Sequence, residues 1–88
     1  MSIIVKKNVI TITDEELDIY IADELKDTLL GLFNKGKKTV TINLENVEKI
    51  TTPAAQVIIS ARKTFKELRI INAGGMVSDD LQKIGVVL

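Results

Sequence analysis

The side chains of this sequence that could do chemistry are hydroxyls and carboxylates, because the chain contains no histidine and no cysteine. The usual zinc ligands, thiol nucleophiles and imidazole bases are therefore excluded. No nucleophile and base stand together at a spacing typical of an active site. Neither catalysis nor a metal nor a cofactor is predicted. The chemistry that the residues favour is a hydroxyl that accepts a phosphate.

The best-placed hydroxyls are the adjacent pair Thr51 and Thr52, followed by Pro53. A strand-like run ends just before them and a helix-like run begins within them. Thr52 is predicted to cap the helix, with Pro53 at the first helical position, where a missing amide costs nothing. A helix N-terminus carries partial positive charge, so a phosphate on Thr52 would be stabilised there. Thr51 is the second choice as acceptor, and the alternative role for Thr52 is a structural cap worth about 1 kcal/mol.

The first half of the chain supplies a hairpin, a helix and a strand. Two short β-branched runs within residues 3–13 flank a polar turn and predict an N-terminal hairpin. From Ile21 the apolar residues recur at three and four, which predicts a helix that stops at Gly36. Residues 39–44 alternate between apolar and polar, as in a strand with one buried face.

The second half repeats this alternation. Residues 54–65 carry an apolar stripe that predicts a helix, and residues 68–72 predict another strand. A last short helix is predicted with Ser78 as its cap and Gly85 at its end, and residues 86–88 form a final strand or a docked tail. Strands that alternate with helices imply right-handed crossovers and an α/β fold with a partly parallel sheet.

Length and charge limit the remaining possibilities. Eighty-eight residues predict a single domain, residues 1–88. Twelve basic and twelve acidic residues cancel, so the composition gives no electrostatic sign of binding to nucleic acid or to a membrane surface. The start shows no signal-peptide pattern, and no apolar run approaches the ~20 residues of a membrane helix. We expect a cytoplasmic protein without direct membrane insertion.

Three stretches match motifs of a known family, in the order in which that family has them. They are Glu16-Leu17-Asp18 with Ala22 and Leu25, residues 39–44 with Val47 and Ile50, and Leu81 with Ile84 and Gly85. The first is similar to a Gly-Glu-Leu-Asp turn into a helix, the second to a central strand that approaches an Asp-Ser-Ser-Gly-Leu signature, and the third to a closing Leu-x-x-x-Gly pattern. This order resembles the STAS domain, the fold of bacterial anti-sigma factor antagonists and of the cytoplasmic tails of sulfate transporters. It implies a STAS-like α/β fold, a mixed sheet of four to five strands with about three helices packed on it.

The resemblance also implies a function. Thr52 falls where anti-sigma factor antagonists carry the Ser or Thr that is phosphorylated, while Thr51 stands where the family has Asp and residues 53–55 replace Ser-Gly-Leu. It implies a non-catalytic regulatory module that binds a protein, namely an anti-sigma factor with serine kinase activity or another signalling kinase. Phosphorylation of Thr52 would switch this binding. The alternative is a constitutive scaffold or subunit of a chemotaxis, lipid-transport or anion-transport assembly.

Six residues are predicted to contact the partner. They are Asp18, Thr51, Thr52, Pro53, Gln56 and Ser60. Asp18 is included because it matches the family turn. The preferred interpretation of Asp18 and residues 14–16 is that they are solvated acidic residues around a helix start, which the helix dipole favours. The alternatives are an acidic patch near Thr52 or a cation site. The identity of the partner and the oligomeric state are left open.

Overall fold

The computed structural model describes residues 3–83 and 85, and these residues form six strands and three helices. In chain order the elements are β1 (Ile3–Lys6), β2 (Val9–Ile12), β3 (Glu16–Leu17), α1 (Ile19–Asn34), β4 (Thr39–Asn43), β5 (Lys49–Ile50), α2 (Thr52–Thr64), β6 (Glu67–Ile71) and α3 (Gly75–Lys83). Residues 86–88, for which a strand or a docked tail is predicted, lie outside the described residues.

The main sheet has the strand order β1-β2-β4-β6. β1 and β2 form the predicted antiparallel hairpin, whereas β4 runs parallel to both β2 and β6. β3 and β5 form a separate parallel pair. The mixed α/β architecture with three helices is thus confirmed. The β3–β5 pair was not predicted, because two-residue strands are too short to show a periodic pattern.

Alternation along the strands creates the core. Ile10 and Ile12 of β2 and Val40 and Ile42 of β4 are fully buried. The helices complete this core with small and branched apolar side chains: Ile21, Ala22, Leu25, Leu29 and Leu32 of α1, Ala54, Ala55, Ile58 and Ala61 of α2, and Val77 and Leu81 of α3. The intervening strand residues make a more open face, where Ile4 is 48% exposed.

The ends of α1 follow from two local devices. Asp18 caps its start, so the helix begins two residues before the apolar repeat at Ile21. At the other end Gly36 has φ +84°, and its N–H donates to Phe33 O at 3.0 Å. Glycine adopts this left-handed conformation without a Cβ penalty, which confirms the predicted stop.

The predicted start of the last helix is wrong. α3 begins at Gly75, and the N–H of Ser78 donates to Gly74 O at 2.8 Å, so Ser78 lies inside the helix and does not cap it. The chain leaves β6 through Asn72, which has φ 59°, and this turn lets the helix begin at the glycines. Gly85, with φ +94°, lies just past the helix as predicted.

Candidate partner-binding site

The β3–β5 pair places the beginnings of α1 and α2 side by side. Leu17 pairs with Ile50, and each helix starts within two residues of this pair. Thr51 strengthens the connection, because both its N–H (3.1 Å) and its hydroxyl (3.0 Å) donate to Leu17 O. The two helix N-termini are therefore held together by hydrogen bonds between segments 34 residues apart in sequence.

Asp18 serves as the N-cap of α1. Its Oδ1 accepts hydrogen bonds from the N–H groups of Tyr20 and Ile21, each at 3.0 Å. These bonds satisfy two of the amides that a helix start leaves without partners. The carboxylate is only half-buried, so it fixes α1 and also lies at the surface beside the α2 N-terminus.

The prediction that Thr52 caps α2 is wrong by one residue. Thr51 is the N-cap, since its backbone is extended (φ −89°, ψ 161°) and its carbonyl accepts the first helical bond from Ala55 N–H at 3.0 Å. Its hydroxyl does not bond to the helix, because it is already directed to Leu17 O. Thr52 is the first helical residue and Pro53 the second, although a residue before proline ordinarily avoids the helical conformation.

Because Thr51 is the N-cap, the Thr52 side chain does not cap α2. Thr52 is exposed, and its hydroxyl makes no hydrogen bond with any residue that the structure describes. Two first-turn amides, those of Thr52 and Ala54, lack an acceptor one turn earlier, while Pro53 has no amide hydrogen. A phosphate on Thr52 would therefore lie at a helix N-terminus with partial positive charge. This N-terminus offers one backbone N–H donor fewer than usual, because Pro53 has no amide hydrogen.

Several carboxylates lie in the two chain segments that precede α1 and α2. We call them the acidic edge, which comprises Asp14, Glu15, Glu16, Asp18, Glu45 and Glu48. They lie in the segments that leave the C-terminal ends of β2 and β4. The backbone draws these segments together, because Glu48 N–H and Lys49 N–H donate to Glu15 O at 2.6 and 3.1 Å. Among the described residues no group of three such side chains is arranged to hold a metal ion.

An apolar groove of about 300 Å³ runs between α1 and α2. The lining residues are Lys26, Leu29, Leu30, Phe33, Pro53, Gln56, Val57, Ser60, Ala61, Thr64 and Phe65. The rings of Phe33 and Phe65, which both line the groove, meet edge to face at 5.9 Å between centroids. Leu30 and Phe33 are each 48% exposed, so a partner could bury substantial apolar surface here.

Comparison with known families identifies the fold. The model of the STAS domain matches residues 2–87. The chain belongs to the STAS domain family. Comparison with curated proteins gives no sequence match. Among solved structures, the anti-sigma factor antagonist SpoIIAA in its unphosphorylated form is similar, with a TM-score of 0.70 and 13% identity over 90% of this chain and 77% of that chain. At 13% identity this structural similarity is evidence for the shared fold alone.

The predicted contact residues of this STAS domain fall into two adjoining groups. Pro53, Gln56 and Ser60 line the groove, whereas Asp18, Thr51 and Thr52 lie at the helix N-termini. The α1 wall of the groove, above all Leu30, is not among the residues predicted from the sequence. Leu30 is an apolar residue outside the buried stripe of its helix, and that position is the sequence signal that could have indicated it.

Proposed function

We propose that this STAS domain is a non-catalytic regulatory module of the cytoplasm that binds a protein partner through the α2 N-terminus and the adjoining groove. Phosphorylation of Thr52 switches the binding off. The partner class is an anti-sigma factor with serine kinase activity, or another signalling kinase, and exchange of partners changes transcription or another signalling output.

One observation carries the proposal: the Thr52 hydroxyl is exposed at the first turn of α2, while the neighbouring Thr51 hydroxyl is engaged with Leu17 O. A kinase can therefore reach Thr52 without breaking any hydrogen bond of the described fold. The resemblance to the family signature supports the same residue, because it implies that Thr52 takes the position of the phosphorylated hydroxyl of anti-sigma factor antagonists. Pro53 follows directly and lines the groove, so the hydroxyl lies beside the apolar surface that a partner would cover.

The switch would act by electrostatics. A phosphate adds about −1.5 to −2 charges. It would join Asp18 and Glu48 on the acidic edge, so the docking surface becomes strongly negative. A partner whose own surface is neutral or acidic, or which buries Thr52 on binding, would then lose affinity because the charge must be desolvated.

The test combines a kinase assay with a binding assay. The protein is incubated with ATP and each candidate serine kinase, and the modified peptide is located by mass spectrometry. We expect phosphate on Thr52, none on Thr51, and no transfer to Thr52→Ala. Phosphorylated protein should bind the partner at least about tenfold more weakly than the unmodified protein, a difference of about 1.4 kcal/mol.

Ser60→Ala is the matched control, because Ser60 is an exposed hydroxyl that lines the groove two turns further along α2. It should accept the same phosphate stoichiometry at Thr52 as wild type. No phosphate on Thr52 with any kinase, together with unchanged partner binding by Thr52→Glu, would contradict the switch.

A second function, a constitutive scaffold or subunit of a chemotaxis or transport assembly, is favoured by the groove itself. Exposed Leu30 and Phe33 offer an apolar contact that needs no modification. Thr51 in place of the family Asp points the same way. In this case Thr52→Ser and Thr52→Glu would leave partner capture unchanged, whereas Gln56→Arg or Leu30→Asp would abolish it.

A further inference from the structure

The fold gathers lysines on the edge opposite the acidic edge. We call this set the lysine edge: Lys6, Lys7, Lys35, Lys37, Lys38 and Lys66. Lys6 is the last residue of β1, and the other five lie in the three connections that lead into β2, β4 and β6. The N-terminal ends of these three strands coincide because the strands are parallel. All six side chains are exposed, and none forms an ion pair with a residue that the structure describes.

Hydrogen bonds hold these connections together. Asn8 of the β1–β2 turn accepts from Thr41 N–H at 2.9 Å and donates through its side chain to Thr39 O at 3.0 Å. Lys38 O accepts from Glu67 N–H at 3.2 Å. The lysines are therefore carried on one continuous backbone framework. Glu67, the nearby carboxylate, pairs with Arg69 at 3.7 Å.

Net neutrality does not cancel this local charge. The two edges are separated by the length of β4, five residues or about 16 Å. The Debye length at physiological ionic strength is about 8 Å, so each edge presents its own charge to a large partner. The net charge of zero, from twelve basic and twelve acidic residues, is thus compatible with one positive and one negative edge.

Local structural needs explain only part of the lysine edge. Lys35 caps the C-terminus of α1, where positive charge complements the helix dipole. Lys7 has no such reason. It has φ 56°, a left-handed conformation in which glycine or asparagine is preferred and lysine costs about 1 kcal/mol. A charge is held there against the backbone preference.

The open sheet face continues from the lysine edge as an apolar depression of about 530 Å³. It is lined by Ile4, Lys6, Lys7, Asn8, Val9 and Thr11. Ile4 is 48% exposed on this face. Lysines next to an exposed branched apolar side chain are complementary to a surface with an anionic outer layer and an apolar layer below it.

We propose that the lysine edge docks this protein on membranes containing anionic phospholipids. Lipid headgroups are recognised by clusters of four to eight basic residues without specific geometry. Nucleic acid fits less well, because Phe65, the aromatic residue between Lys63 and Lys66, is buried and cannot stack on a base. Docking in this orientation points the acidic edge and Thr52 away from the bilayer. Membrane docking through the lysine edge does not depend on phosphorylation of Thr52.

Vesicle co-sedimentation tests it with the full chain. Vesicles of phosphatidylcholine alone are compared with vesicles that also contain phosphatidylglycerol, over a series of salt concentrations. We expect binding only to the anionic vesicles, weakening as salt rises. Each lysine near an anionic leaflet strengthens binding about fivefold, so Lys7→Gly combined with Lys37→Gln and Lys38→Gln should weaken it about a hundredfold.

The control removes three other exposed lysines, Lys26→Gln, Lys49→Gln and Lys83→Gln, which gives the same net charge. It should bind vesicles as wild type does. Lys7→Gly relieves the left-handed backbone, so the first variant should fold as wild type does. Circular dichroism of each variant checks this. Equal loss in both triple variants, no binding by wild type, or displacement from vesicles by sub-stoichiometric RNA would each overturn the proposal.

Discussion

Replacing the two adjacent threonines separately by valine tests which hydroxyl is structural. Thr51→Val removes one half-buried hydrogen bond of 3.0 Å to Leu17 O. That carbonyl keeps the bond from Thr51 N–H at 3.1 Å, so no buried acceptor is left without a partner. The expected loss in free energy of unfolding is therefore that of a single net hydrogen bond, about 1 kcal/mol. For a domain of this size the melting temperature should fall by about 4–8 °C.

Thr52→Val should behave differently. Its hydroxyl is exposed and makes no hydrogen bond with the described residues, so the free energy of unfolding should change by less than about 0.5 kcal/mol. Urea unfolding followed by circular dichroism is the suitable assay, because the chain has no tryptophan and one tyrosine. A loss of about 1 kcal/mol in Thr52→Val with none in Thr51→Val would refute the placement of the helix start.

Three further predictions concern the framework of the site, and the same unfolding assay checks each. Asp18→Ala removes two capping bonds of α1 and should cost about 1 kcal/mol, whereas Asp18→Asn should cost a few tenths; equal losses would show that charge, not capping, is what matters. Gly31→Ala should stabilise the fold by up to about 1 kcal/mol, because Gly31 lies within α1 with open space around it. Gly36→Ala should destabilise it by about 1 kcal/mol, because the φ of Gly36 is +84°. The same sign for both substitutions would contradict the backbone assignment. Ile42→Ala in the central strand should cost about 2–5 kcal/mol, and Ile4→Ala on the open face much less.

Periodic elements could be predicted from the sequence because their residues alone encode them. The apolar stripe of α1 and the alternation of β4 each extend over enough residues to specify type and face. The first and last residues of the helices and strands are harder to predict than the type of element. Ser78 looked like a cap, but the turn at Asn72 starts α3 before it.

The details of the site depend on contacts between distant segments. Two threonines in tandem are equivalent as caps by sequence, and only the pairing of β5 with β3 directs the Thr51 hydroxyl to Leu17 O. The groove likewise arises from the packing of α1 on α2, so its wall at Leu30 could not be predicted from either helix alone. The composition shows only that the net charge is zero. The parallel order of β2, β4 and β6 places the acidic edge and the lysine edge at opposite ends of the strands.

The central claim is that a phosphate on Thr52 blocks partner binding, and calorimetric titration of the partner kinase or anti-sigma factor into the protein tests it directly. Protein phosphorylated at Thr52 alone, prepared by semisynthesis, is compared with the same chain bearing an unmodified Thr52. The phosphorylated chain should bind at least about tenfold more weakly, with unchanged stoichiometry for the unmodified chain. Equal affinities for the two chains would contradict the claim and favour the constitutive scaffold.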